Sequence, residues 1–467
     1  MSRLLVSAAH KSSGKTTISI GICAAISARG MSIQPYKKGP DYIDPMWLSQ
    51  ACHRPCYNLD FYMMSNEEIQ ETFDKHNQDA DLSLIEGNKG LYDGLDIEGS
   101  NSNAALAKLL QAPVVLVIDA RGMTRGIAPL ILGYQDFDRD INIAGVILNQ
   151  LGGSRHESKL RTVIEHYTDV PVIGAVHHDP LLVVEERHLG LIPSNESEKS
   201  VTQIAKLATA VRNEVDLDRL LSIANDAEAV QSSHKTHHIA VAPTICDIRI
   251  AIAKDAAFGF YYPGDLETFE ELGAELVPFN TLEDTHLPDN IDGLFIGGGF
   301  PEIKMGELAA NTSLHRDIRE KIEQGLPAYA ECGGLMYLTR SIQWNEQCYE
   351  SVGVIPADTV MHDRPQGRGY VILEETGKGP WTRYDPSGNP ATLRAHEFHY
   401  SALSNVADNM TYAFNVKRGT GIDGIHDGIV YKNLLACYAH QRSLQKNDWV
   451  NRFLTFVRNI KHTTKVI

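Results

Sequence analysis

The chain has 467 residues, of which 43% are hydrophobic and 22% charged, with a formal net charge of −16. That length exceeds one ordinary core and predicts two or three domains, and an acidic balance without a basic block argues against a nucleic-acid partner. No apolar run reaches the length of a membrane span and the N-terminus leads directly into a strand, so a reduced, cytoplasmic protein without membrane contact is expected.

In chain order, Leu4-Leu5-Val6-Ser7-Ala8 reads as a buried strand and Ile18 to Ala28 as a helix. Between them runs Ala9-His10-Lys11-Ser12-Ser13-Gly14-Lys15-Thr16-Thr17, a P-loop in its proper strand–helix setting. In such a loop the backbone N–H groups cradle phosphates, Lys15 reaches the β/γ oxygens and the Thr16 hydroxyl holds Mg²⁺. Ser13, Gly14, Lys15, Thr16 and Thr17 are therefore the candidate ATP contacts. Ala9 replaces the usual first glycine, and His10 stands where partner-binding ATPases of the ParA/MinD kind have a lysine, so Lys11 receives no such role.

A second strand, Ser32 to Tyr36, leads into Lys37-Lys38-Gly39-Pro40-Asp41-Tyr42-Ile43-Asp44-Pro45. Glycine and two prolines break this run, so it is expected as a loop at a strand C-terminal end, where open α/β sheets form their ligand crevice. Lys37, Lys38, Asp41, Tyr42 and Asp44 are its candidate substrate contacts. Cys52-His53-Arg54-Pro55-Cys56 lacks a second ligand pair and reads as structural, and the chain's 7 irregularly spaced cysteines make no disulfide framework. Asp81 to Ile85 delivers Glu86 to a strand end, Val114 to Ile118 delivers Asp119, and Ile143 to Leu148 delivers Asn149. A carboxylate so placed can ligate Mg²⁺ between phosphates. Glu86, Thr16 and Asp41 are the candidate ligands, with Asp44 helping to organise the metal and the lysines.

Gly39 to Pro45 after a P-loop unit is similar to the cobyrinic acid a,c-diamide synthase family. The later motifs follow in order: Asn58-Leu59-Asp60, Glu86-Gly87-Asn88-Lys89-Gly90-Leu91-Tyr92-Asp93-Gly94 and Arg187-His188-Leu189-Gly190-Leu191. The resemblance runs essentially end to end. In related synthetases an asparagine at the place of Asn149 reads the adenine, and the resemblance implies that role here. Gly153-Ser154-Arg155-His156 and Arg187-His188 add candidate positive charge for carboxylates or phosphates.

Helical periodicity from Val201 to Ala224 gives way to a polar stretch from Asn225 to His238, the best linker in the chain; its histidines have no carboxylate or cysteine spacing for a metal. Beyond it, Ile248 to Ala253 opens a second strand–helix alternation. Leu294-Phe295-Ile296 runs into Gly297-Gly298-Gly299-Phe300-Pro301-Glu302, and Ala328-Tyr329-Ala330 into Glu331-Cys332-Gly333-Gly334 before an apolar helix. Strand, cysteine, paired glycines and helix describe a nucleophile elbow. Gly298, Gly299 and Gly333 offer bare backbone for an oxyanion. Leu434 to Ala439 ends in His440, completing a cysteine–histidine pair distant in sequence. His396-Glu397-Phe398-His399 imitates a metal motif but is expected to pack at a substrate-facing loop beside Gly367-Arg368-Gly369-Tyr370.

This second half resembles the class I glutamine amidotransferase domain in its corrin-acting branch, which implies Cys332 as nucleophile and His440 as base. Where that family often has a second histidine, Gln441 follows here. The expected fold is α/β throughout: an N-terminal P-loop-type parallel-sheet domain over residues 1–195, a helical segment and linker over 196–238, and a C-terminal class I glutamine amidotransferase-like domain over 239–467. The implied reaction is ATP- and glutamine-dependent amidation of tetrapyrrole acetate carboxylates through an acyl phosphate, with Mg²⁺, the substrates being cobyrinic acid or, by the same mechanism, sirohaem or sirohydrochlorin. Ammonia must pass sheltered between the two sites. A homodimer stays open, and a partner-binding ATPase is the distant alternative, opposed by the Cys332 elbow.

Overall fold

The computed structural model describes residues 1–184, 186–187, 190–196, 199–227 and 246–465. The chain divides into two compact units, Met1–His237 and His238–Ile467. The histidine-bearing linker expected before His238 lies largely outside the described residues, as do His188 and Leu189. Among the described residues no helix is long and apolar enough to cross a membrane.

The first unit is built on seven parallel strands: β1 (Arg3–Ala8), β2 (Ile33–Lys38), β3 (Tyr57–Leu59), β4 (Leu82–Glu86), β5 (Val114–Asp119), β6 (Ile143–Leu151) and β7 (Val172–His177). Their order across the sheet is β3-β2-β4-β1-β5-β6-β7. Such strands are covered on both faces, which is why β1, β4 and β5 read as nearly unbroken apolar runs. The order reverses direction at β1, so the loops after β1 and β4 open at a switch point, the usual ligand crevice of an open α/β sheet. The helix α1 (Lys15–Ser27) follows the loop after β1. The helices Ser200–Glu214 and Leu217–Asn225 fall within this unit, and Val211 and Leu207 of the former lie against Gly21 of α1. Residues 200–225 thus belong to the first unit's packing rather than to a connecting segment.

The expected loop after the second strand is different in structure. Lys37 and Lys38 are the last residues of β2, buried, and Asp44-Pro45 lie in the first turn of helix α2 (Ile43–Cys52). Pro45 is harmless there, because the N–H groups of a first helical turn have no intrahelical acceptor. Only residues 39–42 remain as a connection. Lys37 stays in the strand because its charge meets Asp44 and Glu86, and Lys38 because Asn88 accepts from it, as described below.

The second unit carries a nine-stranded sheet. Its strands, with those of a separate two-stranded ribbon (β9 and β12), are β8 (Ile248–Ala253), β9 (Phe258–Phe260), β10 (Ala274–Phe279), β11 (Gly293–Ile296), β12 (Gly298–Gly299), β13 (Ala328–Glu331), β14 (Gly367–Glu375), β15 (Thr392–His399), β16 (Thr411–Arg418), β17 (His426–Tyr431) and β18 (Leu434–Cys437). The nine-stranded order is β10-β8-β11-β13-β18-β17-β16-β14-β15. The pairings from β10 to β18 are parallel and those from β18 to β15 antiparallel. One face packs on an aliphatic cluster including Leu294, Ala330, Leu335 and Ile318; the other packs on Tyr329, Phe295, Phe269 and Trp449, the last from the C-terminal helix Trp449–Lys465. β13 is central, with β11 and β18 on either side, so its C-terminal end is enclosed from both. The run His396 to His399, expected in a loop, is the end of strand β15, and it pairs with Gly367 to Tyr370 of β14 as neighbours.

Candidate functional sites

In the first unit the P-loop residues line a cleft of about 380 Å³ together with Asp44, Arg121, Asn149, Gln150 and the 176–184 segment. Gly14 has φ +87°, and a Cβ there would stand 2.1 Å from Asn149 Nδ2, so only glycine fits. That asparagine donates to the Ser13 carbonyl at 2.9 Å and braces the loop. Lys15 is nearly buried, and burial first and Lys37 second push its pKa down to about 8.

Below the loop lies a compact charged cluster. Lys37 stands opposite Glu86 in the β2–β4 register, so both side chains reach the same sheet edge. The Thr16 hydroxyl donates to Glu86 Oε1 at 2.6 Å and lies 3.2 Å from Asp44 Oδ2. Lys37 Nζ donates to Asp44 Oδ2 at 2.5 Å and Glu86 Oε1 at 3.0 Å, and stands 3.8 Å from Asp41 Oδ2. Burial would discharge this ammonium, but Asp44 and Glu86 outweigh it and hold its pKa well above the usual lysine value. Burial raises the pKa of Glu86, whereas at Asp44 the effect of burial is overcome by Lys37 and the pKa is lowered. Glu86 is fully buried and its Oε2 has no hydrogen-bond partner.

The structure therefore brings Thr16 and Glu86 together with Asp44, whereas Asp41 turns its Oδ1 to the backbone N–H groups of Ile43 and Asp44 at 3.0 and 3.3 Å and starts α2. Lys38 Nζ donates to Asn88 Oδ1 at 3.0 Å, and burial lowers its pKa to about 8. Tyr42 is buried at the head of α2, and Thr17 lines the cleft beside Thr16. Asp119, another strand-end carboxylate, is engaged by the Arg121 guanidinium, with Nη2 at 2.5 Å from Oδ2. His156 reaches the Met123 carbonyl at 2.8 Å. The far wall of the cleft, with Gln150, His177, His178 and Leu182, carried no sequence signal, since the 176–184 segment matches no motif.

In the second unit Cys332 sits between β13 and the short helix Gly333–Leu338 with φ 47° and ψ −101°, a strained conformation for a residue with a Cβ. Its amide donates to the Cys437 carbonyl at 2.7 Å, which ties the turn to β18. The His440 ring, three residues past β18, has Nδ1 3.3 Å from Glu331 Oε2, and the Cys332 thiol, 4.0 Å from the Phe398 carbonyl, lies near enough to act on its pKa. Burial alone would lower its pKa; Cys332 and Glu331 overcome that and raise it to about 10. Cys332 and Glu331 thus favour the protonated ring. His396 stacks on it, rings 4.9 Å apart and 17° from parallel, and the two residues exchange backbone hydrogen bonds. Burial, then the charge of His440, pushes His396 well below the usual imidazole range. Tyr262 Oη lies 3.2 Å from His396 Nδ1.

The glycines make the close approach that this site needs. A Cβ on Gly298 would meet His440 Cε1 at 2.6 Å, and one on Gly333 would meet the Gly299 nitrogen at 2.9 Å. The β12 backbone and the residue after the nucleophile thus lie against each other beside the thiol. Glu397 accepts from Thr420 and Gly421 amides at 2.7 and 2.8 Å, so the His396–His399 motif holds a loop. Glu331, His396, Tyr262 and Gln441 are the site residues that sequence reasoning missed. The available signal was Glu331 itself, an acidic residue closing an otherwise apolar strand.

A family model described as a CobB/CobQ-like glutamine amidotransferase domain matches residues 249–448, and one described as an AAA domain matches residues 2–186. The cobyrinate a,c-diamide synthase of Magnetococcus marinus is 43% identical over 459 residues, 98% of this chain and 97% of its own. The protein of the same name from Methanosarcina acetivorans is 40% identical, covering 94% of this chain and 92% of its own. That from Caldanaerobacter subterraneus is 38% identical, covering 96% and 97%.

Proposed function

The chain belongs to the cobyrinate a,c-diamide synthase family, and from that premise we propose that it converts acetate carboxylates of cobyrinic acid to amides with nitrogen from glutamine and energy from ATP. The observation that carries the mechanism is the pairing, in one chain, of a P-loop above buried carboxylates and lysines with a strand-end thiol against an imidazole. The choice of ring follows the relatives' names.

In the first unit, Lys15 and the loop amides bind the β/γ-phosphates, and Asn149 keeps the loop in shape. The residues present suit Mg²⁺: Thr16, Asp44 and Glu86 are hard oxygen donors, and Glu86 Oε2 is a fully buried oxygen with no partner. Those three would hold the ion, which when bound neutralises phosphate charge. Lys37 and Lys38 attract the incoming carboxylate, an anion that Asp44 and Glu86 alone would repel. A carboxylate oxygen attacks the γ-phosphorus, ADP leaves, and the acyl phosphate carries a leaving group that ammonia can displace.

In the second unit, Cys332 Sγ attacks the glutamine amide carbon. The oxyanion is met by backbone N–H groups of the Gly298–Gly299 strand and Gly333. His440 gives its proton to the departing ammonia, leaving a glutamyl thioester that water, deprotonated by the same imidazole, hydrolyses to glutamate.

The division of labour is tested by two variants. Cys332→Ala should abolish glutamine-dependent synthesis and keep synthesis with added ammonia, whereas Lys15→Ala should stop both while Cys332 still reacts with a glutamine analogue. Full ammonia-dependent turnover in Lys15→Ala would remove the P-loop from the reaction.

A further inference from the structure

The residue that precedes the nucleophile carries a carboxylate that reaches its imidazole. Glu331 Oε2 lies 3.3 Å from His440 Nδ1, and both side chains are 3% exposed. The other oxygen is fully used: Glu331 Oε1 accepts from the Gln441 amide at 2.9 Å and from Tyr329 Oη at 2.7 Å. Gln441 Nε2 in turn donates to Tyr329 Oη at 3.0 Å. The carboxylate is thereby clamped in one rotamer, with one oxygen aimed at the ring.

We propose that Glu331 is the positioning residue of the glutamine-hydrolysing pair: its carboxylate fixes the His440 ring with Nδ1–H directed to Oε2, so that Nε2 faces Cys332. The inference rests on the reading of Cys332 and His440 as that pair. It places nucleophile and orienting carboxylate on adjacent residues of one central strand. A strand alternates its side chains between faces, and the residue pair would normally diverge. Here the positive φ of Cys332 turns the thiol back, so that thiol and carboxylate meet the same imidazole. The residue two beyond His440 is Arg442, whose guanidinium lies over the Tyr262 ring at 5.2 Å. The groups facing His440 are Glu331 and Cys332 from the β13 end and His396 from β15, with Tyr262 behind His396. His396 is neutral by burial, so the protonated His440 ring is favoured by Cys332 first and by Glu331, whose carboxylate lies at Nδ1.

Glu331→Gln keeps the size of the side chain. With its oxygen on the Gln441 amide and Tyr329, its NH₂ would face Nδ1 and force the proton to Nε2, the tautomer unable to take the thiol proton. Glutaminase kcat should fall on the order of 100-fold or more with KM nearly unchanged, and ammonia-dependent synthesis should persist. The second readout is alkylation of Cys332 by iodoacetamide, followed on the Cys332 peptide because Cys246 and Cys348 are exposed. The limb of its pH profile that reports loss of the His440 proton should move down by about one unit or more. Glu331→Asp, which retains the charge, should recover much of the lost kcat, and it carries the test if the glutamine variant does not fold, with a smaller downward move of the same limb. Glutaminase within about threefold of the parent in Glu331→Gln, or an unmoved limb in a folded variant, overturns the proposal. Glutaminase surviving in Cys332→Ala would instead overturn the underlying assignment, and that control is independent of Glu331.

Discussion

Replacing Lys37 by methionine keeps the length of the side chain and removes a buried ammonium from between two carboxylates. The side chain of Lys37 is 3% exposed, that of Glu86 0% and that of Asp44 17%, so little water is available to replace the lost charge. Removing one partner of such a buried pair costs about 3–5 kcal/mol, because the remaining charge stays desolvated. In a unit of this size each kcal/mol is worth roughly 2–4 °C, so the P-loop unit should melt on the order of 10 °C lower near neutral pH. The loss should also depend on pH. Asp44 is held down chiefly by Lys37 against its burial, and without the ammonium its folded-state pKa rises above the unfolded value, as that of Glu86 already does. A carboxyl shifted in that direction contributes stability that is complete below its unfolded pKa and lost as pH rises through the folded one. The variant should therefore approach the parent in mild acid and fall away from it towards pH 8. Calorimetry at a series of pH values reads both effects. A melting temperature within about 2 °C of the parent at pH 8 would refute the assignment of Lys37 as the cluster's counter-ion.

Gly298→Ala places a methyl group 2.6 Å from His440 Cε1, so the ring must move and glutaminase should fall on the order of 100-fold while ammonia-dependent synthesis continues. Equal glutaminase rates would show that His440 does not sit against β12 during turnover. Asp41→Asn keeps an oxygen for the α2 amides, so the fold should hold. Positional isotope exchange in ATP, run with substrate and no nitrogen donor, should slow if Asp41 supports Lys37 in acyl-phosphate formation. Exchange at the parent rate would reduce Asp41 to a helix-starting residue.

Local chemistry was legible in the sequence. The P-loop and the elbow each occupy one short run bounded by a strand and a helix, and glycine marks the places where backbone must come close. The extent of β2 was not legible, because prolines at 35, 40 and 45 and paired lysines mimic a solvated turn. What keeps Lys37 in a strand is Glu86 on the next strand and Asp44 a helical turn ahead, and only the sheet order reveals that they meet. For the same reason the sequence reading chose Asp41 over Asp44 as a ligand, whereas the backbone amides of α2 turn Asp41 away and leave Asp44 beside Thr16. The partners of His440 were hidden more deeply. His396 arrives from a strand at the far edge of the sheet order, and Glu331 reaches the ring only through the strained turn at Cys332.

The central claim joins two chemistries in one product, and nitrogen tracing reads both at once. The purified chain is incubated with cobyrinic acid, ATP, Mg²⁺ and glutamine labelled at the amide nitrogen, and the ring is analysed by mass spectrometry. The account predicts labelled amides on the corrinoid, formed in step with ADP and phosphate. Label recovered only as free ammonia, with no labelled amide on the corrinoid, would contradict it.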